Sequence, residues 1–138
     1  MALHRRSLLL ASALLLATAC GSDEPTGPTA LIGSRWRLDN LRTPAGVTTN
    51  VNPDRYTLEF LDETRVSARA DCNVCTGSYD TRGSIVITIG PLACTRTFCG
   101  AESRGNDYVT LLNSSKLFAQ EGETLILVAE GGTLFYRP

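Results

Sequence analysis

The sequence predicts a mainly β fold: a small antiparallel barrel or sandwich of about eight strands with one short helix. Three observations carry this. Apolar and polar residues alternate in short runs between Arg35 and Arg137. Turn residues, glycine above all, separate several of the runs. One stretch alone, Ala101 to Asn113, changes to helical spacing. Composition agrees, since 138 residues at 20% charged and 43% hydrophobic make one domain of ordinary globular chain. The formal charge of −1 lacks the basic excess of nucleic-acid binders, so no such partner is expected.

The strands follow in order. Arg35 to Asp39 alternates around Trp36 and Leu38. Tyr56, Leu58 and Phe60 share one face, with Thr57 and Glu59 on the other. Val66, Ala68 and Ala70 repeat the pattern against Arg65, Ser67 and Arg69. Ser78 to Thr81 and the run Ile85, Ile87, Ile89 flank Arg82-Gly83, a hairpin-like turn. Lys116 to Gln120, Thr124 to Ala129 and Thr133 to Arg137 complete the eight, with turns at Glu121-Gly122-Glu123 and Glu130-Gly131-Gly132. In the helical stretch Tyr108, Leu111 and Leu112 fall at i, i+3 and i+4, and Ser103 or Asn106 is placed to cap its start. Such a helix suits the end of a barrel, as a plug.

Ahead of the domain lies an address. Arg5 and Arg6 precede an apolar run from Ser7 to Leu16, and the small residues Ala17, Thr18 and Ala19 follow, which is the layout of a secretory signal over residues 1–19. The thirteen residues from Ser7 to Ala19 fall short of the roughly 20 that a membrane span needs. The Arg pair matches the twin-arginine motif poorly, so the general secretory route is expected. Leu16-Ala17-Thr18-Ala19-Cys20 resembles the lipobox of bacterial lipoproteins, which makes Cys20 the expected lipidation site and the membrane an expected partner. More than one acyl chain there gives a stable anchor. Residues 20–30, polar and broken by Pro and Gly, read as a flexible tether. The expected location is the cell envelope. Gly21 rather than aspartate after the cysteine points to the outer membrane, facing the periplasm, if the host has two membranes.

Cleavage before Cys20 removes Arg5 and Arg6 and takes the formal charge from −1 to −3. It also removes His4, the single histidine. A chain without histidine runs no Ser-His or Cys-His nucleophile pair and builds no histidine-containing zinc site. No enzymatic activity, cofactor or metal is therefore expected. Four cysteines remain besides Cys20: Cys72, Cys75, Cys94 and Cys99. Their C-x2-C and C-x4-C spacing superficially matches a four-cysteine zinc site, but an exported domain of this size uses even cysteine counts as disulfides. A redox role for Cys72-Asn73-Val74-Cys75 is weaker still, with no βαβ pattern around it. Four cysteines allow three connectivities, and spacing does not choose among them.

Other polar features carry bland readings beside sharper ones. Asp71, Asp80, Glu102 and Asp107 are candidates for a carboxylate pair, against solvated loops and caps as the expected reading. Arg65, Arg69 and Arg82 suit an anion-binding face or, as expected, the wet side of a half-buried sheet. Trp36 suits ligand stacking, but a single Trp on an apolar strand face is usually core. Asn113-Ser114-Ser115 fits a glycosylation sequon, which means little in a bacterial lipoprotein.

The segments Trp36-Arg37-Leu38, Tyr56 to Phe60, Asp71-Cys72-Asn73, Gly77-Ser78-Tyr79 and Pro91 to Cys99 stand in a telling order, ahead of Leu125-Ile126-Leu127 and Leu134-Phe135-Tyr136. In this series the chain resembles the META domain, the HslJ-like family of small bacterial lipoproteins, over residues 31–138. The resemblance implies a compact β-barrel of lipocalin-like shape with one helix. It also implies links to heat shock and novobiocin tolerance, without a settled biochemical activity. Two departures stand out: Asp71, where glycine is usual before the cysteine, and the extra pair Cys75 and Cys94. The family's usual cysteine positions imply a bridge between Cys72 and Cys99, which leaves Cys75 with Cys94. The expected function is a non-enzymatic, lipid-anchored envelope protein in stress protection or binding. The alternatives are a module that inhibits or binds an envelope protein, marked by an exposed apolar patch near the loops, and a carrier of a small apolar ligand, marked by an open cavity inside the barrel.

Overall fold

The computed structural model describes residues 31–49 and 52–138; the signal segment 1–19, Cys20 and the tether 20–30 lie outside the described residues. The elements are β1 (Arg35–Thr43), β2 (Gly46–Thr49), β3 (Tyr56–Phe60), β4 (Arg65–Ala70), β5 (Asn73–Arg82), β6 (Val86–Ile89), β7 (Ala93–Cys94), α1 (Gly105–Asn113), β8 (Ser115–Glu121), β9 (Thr124–Ala129) and β10 (Gly132–Arg137), with a 3-10 turn over Pro53–Arg55. Eight strands form a closed antiparallel barrel in the order β10-β9-β8-β6-β5-β4-β3-β1, shut by pairing of β1 with β10. The two others are appended, β2 to β1 and β7 to β5. Every strand expected from alternation is present. The fold is the mainly β barrel with one short helix that the sequence predicts.

The alternating residues point where the periodicity requires. Leu58, Phe60, Val66, Ala68, Ile87, Ile89, Leu125, Leu127, Leu134 and Tyr136 all face inward and form one apolar core with Trp36. Burial of a residue of the Val, Leu, Ile or Phe class is worth about 1.5–3 kcal/mol, so this filled interior dominates stability. An eight-stranded barrel is just wide enough for side chains to fill, and here they fill it.

The helix closes the end at which β4, β6 and β9 finish and β5, β8 and β10 begin. Its Tyr108 lies edge-on to Tyr56, with ring centroids 5.5 Å apart, and accepts a hydrogen bond from the Tyr136 hydroxyl at 3.0 Å. Burial pushes the ionisation of both Tyr108 and Tyr136 upward. The opposite end is covered by the entering chain: Leu31 is buried, and the Gly33 N–H donates to the Phe60 carbonyl at 3.1 Å. There Asp62 accepts the backbone N–H of Thr64 (2.9 Å) and of Arg65 (2.8 Å), which pins the β3–β4 turn. The Thr64 N–H, the Arg65 side chain and the neighbouring donors hold the Asp62 carboxyl well below its ordinary value.

The wall is uneven. Strands β3, β4 and β5 are joined by continuous ladders from Tyr56↔Ala70 to Phe60↔Val66 and from Arg65↔Ser78 to Ala70↔Asn73. Between β6 and β8 the ladder is reduced to Val86↔Leu117, with the Phe118 N–H donating to the Ile85 carbonyl at 2.8 Å. At the helix end of that seam β7 and α1 take the place of a longer β6.

Candidate functional site

The segment from Pro91 to Cys99 runs along the edge of β5 beside α1, at the helix end of this seam, and is held by a short backbone pairing and by side chains. Thr95 donates its N–H to the Val74 carbonyl at 3.0 Å, and its Oγ1 accepts the Val74 N–H at 3.1 Å. The Asn73 amide imitates a backbone partner: its Oδ1 accepts the Thr97 N–H at 2.7 Å and its Nδ2 donates to the Thr97 carbonyl at 2.9 Å. At the start of the segment the Leu92 N–H donates to Asn113 Oδ1 at 3.0 Å. The side chain of the sequon asparagine is therefore spent on structure. Gly77 permits the close packing, because a Cβ there meets Leu92 Cδ2 at 2.9 Å and the Pro91 carbonyl oxygen at 3.0 Å.

Two disulfides pin the same segment to β5 and to the residue that precedes it, pairing Cys72 with Cys99 and Cys75 with Cys94 at Cα separations of 5.5 and 4.0 Å. All four cysteines are thereby used, in nested order. Among the described residues no cluster of His, Cys, Asp and Glu is arranged to hold a metal.

A groove of about 820 Å³ lies between this segment and α1. Leu92, Cys94, Thr95 and Phe98 line one side, and Asn106, Val109 and Thr110 of the helix line the other. Phe98 is 86% exposed, the most exposed large apolar side chain among the described residues. Arg96 is the one charged side chain in the lining. A smaller cavity of about 280 Å³ opens by Leu38, Leu41, Tyr56 and Tyr108, with Arg55, Glu102 and Arg104 around it. A second apolar surface runs across the outer wall, where the register sets the exposed Val86, Leu117 and Val128 side by side.

The four candidate carboxylates do not converge. Asp71 is only 1% exposed and forms an ion pair with Arg55, whose Nε donates to its Oδ1. Burial pushes the Asp71 carboxyl up, but hydrogen bonds from Ser103 and Arg55, the Arg55 charge and the Tyr56 hydroxyl outweigh it and hold the group below its ordinary value. Asp71 also explains a departure noted in the sequence, because its φ is +65°, a left-handed conformation that suits glycine and that aspartate tolerates better than most residues. Asp80 lies toward the far end of β5 beside Arg82, at 3.4 Å. Asp107 pairs with Arg104 at 2.9 Å, and Glu102 borders the smaller cavity. Asp80, Glu102 and Asp107 are solvated as expected, but Asp80 lies within strand β5 and Asp107 in the first turn of α1 rather than in loops; Asp71 departs from the expectation as a buried, paired group.

The three arginines stand on the exposed face of the sheet, each with its own acceptor: Arg65 with Asp62, Arg82 with Asp80, and Arg69 with the Asp71 carbonyl at 2.9 Å. Trp36 is core, 2% exposed. The helix begins later than expected, at Gly105, with Arg104 as its cap residue and no side-chain capping bond from it. Ser103 instead accepts the Gly105 N–H at 3.2 Å, while Asn106 sits inside the helix on the groove. Sequence reasoning missed Phe98, Arg96 and Asn73 as residues of this groove. The available signal was an aromatic residue, Phe98, on no periodic apolar face and set between two cysteines.

The META domain family model matches residues 29–137. A solution structure of a protein from Burkholderia xenovorans superposes with a TM-score of 0.61 at 20% identity, covering 91% of this chain and 97% of that one. A crystal structure of a DUF4847 family protein from Bacteroides vulgatus gives 0.57 at 11% identity, over 79% and 94%. These likenesses concern the fold. Among curated proteins none matches this chain. Neither the matched family nor either similar structure is described as an enzyme.

Proposed function

From its membership of the META domain family, we propose that this chain is a lipid-anchored envelope protein that works by binding another envelope protein rather than by turning over a substrate. The observation that carries the reading is a contrast between interior and rim. The barrel interior is packed with side chains, whereas Phe98 stands 86% exposed beside a groove of about 820 Å³. An isolated exposed apolar residue needs no explanation, but one beside a mixed groove on a doubly cross-linked segment supports recognition. A carrier of a small apolar ligand has less support, because the cavity lined by the inward-facing Leu38, Leu41, Tyr56 and Tyr108 holds about 280 Å³, under the usual range of ligand clefts. The setting we propose is stress protection at the envelope, with Cys20 as the anchor.

Replacing Phe98 by a photoreactive phenylalanine analogue tests the binding reading. Irradiated envelopes are expected to yield a discrete adduct that the same analogue at Val128 does not form. Absence of any adduct at position 98 contradicts the reading. Fatty-acid labelling tests the anchor separately: it is expected in the native protein and lost in Cys20→Ser, and its persistence in that variant contradicts lipidation.

A further inference from the structure

The groove beside β7 has an edge that the barrel does not use. Ala93 pairs with Thr76, and Thr95 bonds Val74, so Cys75 and Cys94 form the non-hydrogen-bonded pair between them. In an extended chain successive backbone groups face opposite ways, so the Cys94 N–H and C=O face away from β5. The same alternation continues beyond the strand. Thr97 spends its N–H and C=O on the Asn73 side chain, which turns the backbone groups of Arg96 outward as well. Among the described residues no hydrogen bond reaches the backbone groups of Cys94 or Arg96. Two donors and two acceptors at alternate residues therefore line the groove, fixed by two disulfides.

We infer that this edge takes an extended, acidic peptide segment of the partner, which adds as a short strand beside residues 94–96 between β7 and α1. The inference rests on the partner-binding reading and names what the groove recognises. Strand addition draws its affinity from main-chain hydrogen bonds and its selectivity from alternate side chains. Both parts are present. Phe98, Leu92 and Val109 supply apolar contact, and Arg96, with no carboxylate partner among the described residues and no acidic side chain in the lining, selects a carboxylate. A volume of about 820 Å³ falls in the range of ligand-binding clefts and admits a short peptide.

The test uses the full-length protein in detergent and a panel of acetylated hexapeptides of alternating Val and Thr, with one Glu placed at each position in turn. At least one register is expected to bind and to slow hydrogen exchange at the Cys94 and Arg96 amides. N-methylation along the peptide edge that faces β7 should weaken binding about tenfold or more, because each methyl group removes a donor. N-methylation along the other edge should leave binding unchanged. Arg96→Glu, an exposed change, should transfer the preference from the Glu peptides to Lys counterparts. Leu117→Ser, on the outer wall, should alter nothing. Failure of every Glu peptide to bind, equal binding of both N-methylated forms, or an unchanged preference in Arg96→Glu overturns strand addition. If the photoadduct at position 98 persists while these peptides fail, strand addition alone falls; if both fail, the binding reading falls with it.

Discussion

The wall of β3, β4 and β5 and the seam of β5, β7 and α1 belong to one barrel but are held together in different ways. In the wall, backbone ladders run uninterrupted and inward residues such as Leu58, Phe60 and Val66 are fully buried. In the seam the ladder ends after Ala93 and Cys94, and the Asn73, Thr95 and Asn113 side chains with two disulfides replace it. A ladder satisfies its backbone groups internally and leaves nothing to offer. A cross-linked segment is just as fixed in place yet keeps part of its backbone and an aromatic side chain exposed. The difference teaches that, among the described residues, rigidity and availability coincide at the seam, which is why the proposed recognition is assigned there.

Truncating the wall should have the largest effect. Phe60→Ala should cost about 4 kcal/mol of stability, measured by urea unfolding, and a loss below about 1 kcal/mol would contradict a filled interior. Next comes the outer staple of the seam. Changing Cys72 and Cys99 together to Ala removes the bridge across 27 residues of separation, which the chain-entropy estimate values at up to about 3.5 kcal/mol, less the part of that loop still closed by the bridge between Cys75 and Cys94. Unchanged stability would show that the side-chain bonds hold the segment unaided. Asn73→Ala should cost about 1 kcal/mol, because two solvent-exposed hydrogen bonds of one amide to the Thr97 backbone are lost, and should speed exchange of the Thr97 amide while leaving that of Leu58 unchanged.

Acid sharpens the comparison further. Asp71, beside the first disulfide, ionises below its ordinary value when folded, so the unfolded chain takes up its proton first as the pH falls. The stability from this group is present above its ordinary value of 3.8 and is lost as the pH drops toward the lower folded value. Asp71→Asn should therefore flatten the fall in stability below about pH 4, in part only, since Asp62 behaves in the same sense. The smallest effect on stability belongs to Phe98→Ala, expected within about 0.5 kcal/mol, although it should abolish binding at the groove. A large loss there would make Phe98 a structural residue and weaken its place in recognition.

The wall was legible in the sequence, and the seam largely was not, for a physical reason. Alternation reports burial on one face, so Tyr56 to Phe60, Val66 to Ala70 and the last three strands stand out. Strand β2, Gly46–Thr49, is exposed at every position and carries no such signal. Strand β5 begins at Asn73 rather than near Ser78, because its inward residues there are Cys75 and Gly77, neither of which reads as an apolar repeat. Strand β7 has two residues, fewer than any period needs. The helix was legible from Tyr108, Leu111 and Leu112, but its first turn was not, since Arg104 occupies the cap position. The cysteines were legible as a group. Their nested pairs came from the family resemblance, and the exposed backbone of Cys94 and Arg96 came only from the register.

Hydrogen exchange at single-residue resolution in the free protein tests the central claim most directly. The account predicts that the Leu58 and Leu127 amides exchange slowest, that Thr95 and Thr97 are protected by their bonds to Val74 and Asn73, and that Cys94 and Arg96 between them exchange fast. Protection of Cys94 and Arg96 equal to that of their neighbours would mean that the edge is already occupied, and would contradict the account.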